Sequence, residues 1–166
     1  MQGAILFEEK QGYQQKRLRL FMLFCIGLAV IFLAARFFIS DHTELRQAIF
    51  FLTAIAALAL FIRSIKLHTV ITTTGIYVRY FPFATRYTYI NWANVKQCNI
   101  RQYSPLTEYG GWGIKMIVPE NGWSYSFSGT TGLQIIFQDG TKLLIGTNRP
   151  EEITIILREA ERLTVC

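Results

Sequence analysis

Two long uncharged apolar runs near the N-terminus constrain this chain more than any other feature. Leu20 to Ala35 carries no charge, and after Arg36 the run resumes with Phe37, Phe38 and Ile39. That is about 20 positions, the length that crosses roughly 30 Å of hydrocarbon. A second run, Ala48 to Ile62, has Thr53 as its polar residue and continues through Arg63 and Lys66 to Leu67. Neither run shows the polar face, at a period near 3.6 residues, that a helix of a soluble bundle carries. Arg36, Arg63 and Lys66 fall in the terminal turns, where long side chains reach the headgroups. The first run is too long for a signal peptide, and no small-x-small cleavage site follows it. The expectation is two membrane spans, joined by the short turn from Ser40 to Arg46.

Basic residues close to the spans set their orientation. Lys10, Lys16, Arg17 and Arg19 precede the first span, and Arg63 and Lys66 end the second. The turn offers Arg36 and Arg46, offset by Asp41 and Glu44. Both termini are therefore expected in the cytoplasm, with the chain a multi-pass protein of the inner membrane. The six basic residues at the inner ends equal the formal net charge of +6, so the charge reads as a topology signal. From His68 onward nine Lys and Arg face seven Asp and Glu, which is no nucleic-acid footprint. A chain that is 51% hydrophobic and 17% charged is not disordered. Cys25, Cys98 and Cys166 are far apart and form no metal or disulfide pattern.

After Leu67 the pattern changes to alternation, the form of half-buried strands. His68 to Thr73 and Ile76 to Phe81 flank a turn at Gly75, and Arg86 to Ile90 is a third strand. Val95 to Tyr103, Trp112 to Val118, Trp123 to Phe127, Leu133 to Phe137 and Lys142 to Ile145 follow. Asp139 and Gly140 between the last two suggest a type I′ hairpin. Pro150, Glu151 and Glu152 suit the start of a helix, and Ile153, Ile156, Ala160 and Leu163 recur at helical spacing. The expected class is α+β: a two-helix transmembrane hairpin, then a small β-barrel of seven or eight strands closed by a C-terminal helix. The expected divisions are 1–17 as a cytoplasmic segment, 18–67 as the hairpin and 68–166 as the cytoplasmic domain.

Three segments carry a resemblance: the strand pair from Thr69 to Tyr80 with its turn at Gly75; Ile90, Asn91 and Trp92; and the closing stretch from Gly132 through Asp139 and Gly140 to Gly146, Thr147, Asn148, Arg149, Pro150, Glu151 and Glu152. The chain resembles the bacterial pleckstrin-homology-like (PH-like) domains that follow one or two membrane spans. The resemblance implies two nearly orthogonal sheets capped by the helix, used as a binding platform. Relatives that bind phosphoinositides cluster basic residues at the first turn. Here that turn is Thr72, Thr73, Thr74, Gly75, with Arg79 the first basic residue beyond it, so no phosphoinositide ligand is expected.

Catalysis asks for a nucleophile with a base in reach. The histidines are His42 and His68, neither beside an evident partner in sequence. Ser124, Ser126 and Ser128 alternate with Trp123, Tyr125 and Phe127 as a strand with one wet and one buried face would. Gly110, Gly111, Trp112 and Gly113 lack the Lys-Ser/Thr and helix of a phosphate loop, and read as a bulge or tight turn. Trp92 reads as core. The expected function is a non-catalytic binding or assembly module at the cytoplasmic membrane face, integral to the bilayer, with a protein partner or a homo-oligomer. No catalytic residue, cofactor or metal is assigned. Contact residues are expected among Phe81, Phe83, Tyr109, Trp112 and Arg79. Acidic-lipid binding and a membrane-bound enzyme are the alternatives.

Overall fold

The computed structural model describes residues 3–12, 23, 26–27, 29–31, 34, 43–116 and 121–161. Two compact units emerge: Met1–Gln11 together with Lys66–Cys166, and Gly12–Ile65.

The first unit is built on two sheets. One has the order β1-β2-β3-β4, from Ile5–Gly12, Lys66–Thr72, Gly75–Phe81 and Thr88–Asn91. The other has the order β5-β8-β9-β7-β6, from Val95–Gln102 (β5), Gly113–Lys115 (β6), Trp123–Ser126 (β7), Thr131–Phe137 (β8) and Lys142–Gly146 (β9). All eight strands expected after Leu67 are present, within a few residues of their expected limits. The first strand was not expected. Its alternation is hard to read because the inward positions are Phe7, Glu9 and Gln11, all buried, while Leu6, Glu8 and Lys10 face out. Ala4 meets Thr73 and Glu8 meets His68, so β1 runs antiparallel to β2. The domain that the sequence begins at His68 therefore includes a strand from the other side of the apolar runs.

The core face of the first sheet pairs Leu67 with Tyr80, Thr69 with Val78 and Ile71 with Ile76. Thr72 shapes the β2–β3 turn, its hydroxyl accepting from the Gly75 N–H at 3.2 Å and donating to the Gly75 carbonyl at 2.8 Å. A Cβ at Gly75 would lie 2.3 Å from the Ile90 carbonyl oxygen, so β4 can approach only a glycine there. In the second sheet β8 and β9 are antiparallel, and β7 lies parallel to β9. Asp139 does not take the positive φ of a type I′ turn. Its carboxylate instead accepts from the Thr141 N–H at 2.9 Å and hydroxyl at 2.6 Å, closing a longer loop. A short helix, Pro105–Tyr109, precedes Gly110, and the C-terminal helix Pro150–Glu161 packs against β5 and β8. We label these α2 and α3.

The second unit contains the 22-residue helix α1, Thr43–Ser64. Phe51, Leu58, Leu60 and Phe61 on it are exposed. Among the described residues no helix is long and apolar enough to cross a membrane, which overturns the expected two-helix transmembrane hairpin. The stretch of α1 from Ala48 to Ile62, apolar apart from Thr53, is fifteen residues. At about 1.5 Å per residue it rises roughly 22 Å, short of the hydrocarbon thickness of about 30 Å. Most of the first run, with the turn to His42, lies outside the described residues, as do the basic residues Lys16, Arg17 and Arg19; Leu23, Ile26, Gly27, Ala29 to Ile31 and Ala34 are helical. Arg63 does occupy the last turn of α1, but Lys66 opens β2 rather than ending a span. The multi-pass inner-membrane localisation loses its basis with the spans. The fold is mainly β, with two sheets and nine strands among the described residues, in place of the expected hairpin followed by a seven- or eight-stranded barrel.

Candidate functional site

The alternation on β7 places polar side chains inside and aromatic ones outside. Ser124 and Ser126 are 0% exposed, and the Ser124 hydroxyl reaches no hydrogen-bond partner. Trp123, on the opposite face, is 47% exposed. A half-buried strand ordinarily turns its apolar side to the core, so this reversal sets an aromatic surface where solvent is expected. The neighbouring strand extends it: Ile114 stands directly opposite Tyr125, and exposed Met116 follows two positions on. Trp112 lies at the head of β6, half-exposed, its indole N–H donating to the Gly129 carbonyl at 3.0 Å. The patch formed by Trp112, Ile114, Met116, Trp123 and Tyr125 contains no charged side chain.

β6 is also the edge of its sheet. Lys115 pairs with Ser124 and so occupies the inward side of that edge strand. An inward charge guards an edge against strand addition. The face, rather than the edge, is the surface available for contact.

The other expected contact residues are scattered. Phe83, in the turn after β3, is 65% exposed, and Phe81, the last residue of β3, is also exposed. Arg79, on β3, lies over the Tyr87 ring, with its guanidinium carbon 4.6 Å from the centroid. Tyr109 is fully buried and has no surface to offer. Its ring packs edge-on against Tyr103, and its hydroxyl accepts from Arg101 at 3.2 Å. Trp92 is partly buried and donates from its indole to the Thr72 carbonyl at 2.9 Å.

Arg101 also donates to Gln134 Oε1 at 2.9 Å and pairs with Glu108 at 2.8 Å. The guanidinium holds the Glu108 carboxyl below its ordinary range. These groups line a cleft of about 310 Å³ with Asn121, Ile136 and Lys142. Asn121 donates to the Glu108 carbonyl, and Tyr109 donates to the Asn121 carbonyl. The guanidinium is thus engaged in fixing α2 to the sheet.

No group of three or more His, Cys, Asp or Glu side chains among the described residues is placed to hold a metal ion. The outward face of β6 and β7 was legible only in part: Trp112 carried a signal, while Trp123 and Tyr125 read as the buried side of a strand. No protein-family model, curated protein or solved structure matches the chain.

Proposed function

We propose that the protein is a non-catalytic assembly module that binds a second copy of itself through the outward face of β6 and β7. The observation that carries this reading is the reversed polarity of β7, with two serines inside and Trp123 and Tyr125 outside. Burying exposed aromatic and methionine side chains stabilises association by about 25 cal/mol per Å² of apolar surface, before the cost of ordering is counted. Uncharged, aromatic-rich patches suit the centre of a protein interface, where tryptophan and tyrosine anchors are enriched and charges depleted. A surface without charge selects a partner surface of the same kind, and the chain itself carries one. The inward Lys115 favours packing of the two faces over pairing of the two edges.

A photo-crosslinking residue in place of Trp123 in the full chain tests this. The expected product is a covalent homodimer joined within β6 or β7. Label transferred to lipid, or no dimer at all, would overturn the reading.

A further inference from the structure

On the outer side of the first sheet, three distant stretches of sequence converge on His68. Its Nε2 lies 2.9 Å from Glu8 Oε1 on β1, and its Nδ1 lies 2.6 Å from the Tyr87 hydroxyl just before β4. Glu8 also pairs with Lys10 at 2.7 Å, and this contact, followed by that with His68, holds its carboxyl below the ordinary value. An ionised carboxylate only accepts hydrogen bonds, so the His68 Nε2–H donates to it. In the neutral ring Nδ1 is then the acceptor, and the Tyr87 O–H donates to Nδ1. His68 is 7% exposed, and burial pushes its pKa below the ordinary 6.5 against the opposing pull of Glu8, which keeps the ring neutral at neutral pH. Among the described residues, the other charged groups that act on His68 are Lys10 on β1 and Arg79 on β3, which lies opposite His68 in the strand register. Arg79 Nε is buried without a hydrogen-bond partner, and the guanidinium flanks the Tyr87 ring.

A hydroxyl that points its proton at a base, with the base oriented by a carboxylate, is the arrangement of an activated nucleophile. We propose that Tyr87 is a nucleophilic acceptor of acyl groups from activated esters, with His68 as its base and Glu8 as the positioning residue. The Tyr87 oxygen attacks the ester carbonyl carbon, and the phenolic proton passes to His68 Nδ1. The tetrahedral oxyanion forms beside the Arg79 cation. The bond from carbon to the ester oxygen then breaks, the leaving group departs with the bonding pair, and His68 returns its proton to the leaving group or to water. The product is an O-acyl tyrosine at one equivalent per chain, with no oxidation or reduction. This site is on the other sheet from the β6–β7 face, and its reactivity does not depend on self-association.

The test uses the full chain with p-nitrophenyl acetate. A burst of one equivalent of p-nitrophenolate is expected, with the acetyl group mapped by mass spectrometry to Tyr87 among the eight tyrosines. Tyr87→Phe removes the burst, and His68→Gln slows it about a hundredfold, the lower range of general-base contributions. Its rate should rise with pH to a plateau reached once His68 is neutral, below pH 7. Should His68→Gln disturb folding, Glu8→Gln keeps the test alive, because it is expected to slow the burst at least tenfold while Tyr87 remains the labelled residue. Acetylation spread over several tyrosines would overturn the proposal. So would a Tyr87 rate that keeps climbing toward pH 10, as an unassisted phenol would show, or one that is unchanged in both variants.

Discussion

Glu9 and Thr147 are 138 positions apart in the chain and meet through a 2.7 Å hydrogen bond, the buried carboxylate accepting the threonine hydroxyl. The same carboxylate accepts the Asn148 N–H at 3.0 Å, and two residues further along β1 the Gln11 amide donates to the Gly146 carbonyl at 2.7 Å. The first strand is thus tied by its polar inner face to the end of β9 and the turn that opens α3. Glu9→Ala leaves the buried Thr147 hydroxyl and the part-buried Asn148 N–H without their acceptor, and loss of a buried charge-assisted bond costs about 1.5–3 kcal/mol. Chemical denaturation of the variant should show a drop of at least about 2 kcal/mol. Removing residues 1–11 should lower stability further, since it also exposes the β2 edge.

The burial of His68, which outweighs its contact with Glu8, gives the fold a pH dependence whose sign follows from the direction of the shift. The folded pKa of His68 lies below its ordinary 6.5, because burial disfavours the charged ring. Between the two values the unfolded chain binds more protons than the folded one, so stability falls as pH falls. It should be fully present above about pH 6.5 and decline from there toward the folded pKa. In His68→Gln this slope should vanish from thermal melts recorded across that range, leaving the separate loss of the Glu8 carboxylate contacts at more acidic pH.

Ser124 offers a test in the opposite direction. A buried hydroxyl without a partner opposes folding, by about 1–3 kcal/mol on mutational scales. Ser124→Ala should therefore raise the midpoint of thermal unfolding or leave it unchanged. A clear fall would show that the hydroxyl is bonded in solution.

Gly122 and Gly140 both adopt positive φ, but their surroundings differ. A Cβ at Gly122 would lie 2.0 Å from the Lys142 carbonyl oxygen, whereas one at Gly140 meets nothing within 4 Å. Gly140→Ala should cost about 1–2 kcal/mol, the penalty for a left-handed alanine. Gly122→Ala should cost more, because β7 must also move away from β9, and side-by-side urea titrations would separate the two.

Eight strands and the last helix are legible in local signals alone. Alternation in Leu133 to Phe137 and Lys142 to Ile145, and the Pro-Glu-Glu opening of α3, reflect backbone preferences that neighbours reinforce. β1 was hidden because its buried positions include Glu9 and Gln11, whose partners lie more than 130 residues away. His68 looked isolated for the same reason: Glu8 is 60 residues before it and Tyr87 is 19 after it. Trp123, Tyr125 and the serines gave a correct strand, but a period of two does not say which side faces the core. The apolar runs suggested spans because hydropathy was read through Arg63 and Lys66, whereas the helix stops at Ser64 and β2 begins at Lys66.

Sedimentation velocity of the full chain in mild detergent decides whether the β6–β7 face joins two copies of the chain. The wild-type chain should sediment as a dimer. Trp123→Asp should sediment as a monomer with its thermal midpoint little changed, because Trp123 is half-exposed within the protomer, while Leu60→Ser on α1 should remain dimeric. A monomeric wild-type chain, or a Trp123→Asp variant that stays dimeric, would rule this face out as the interface.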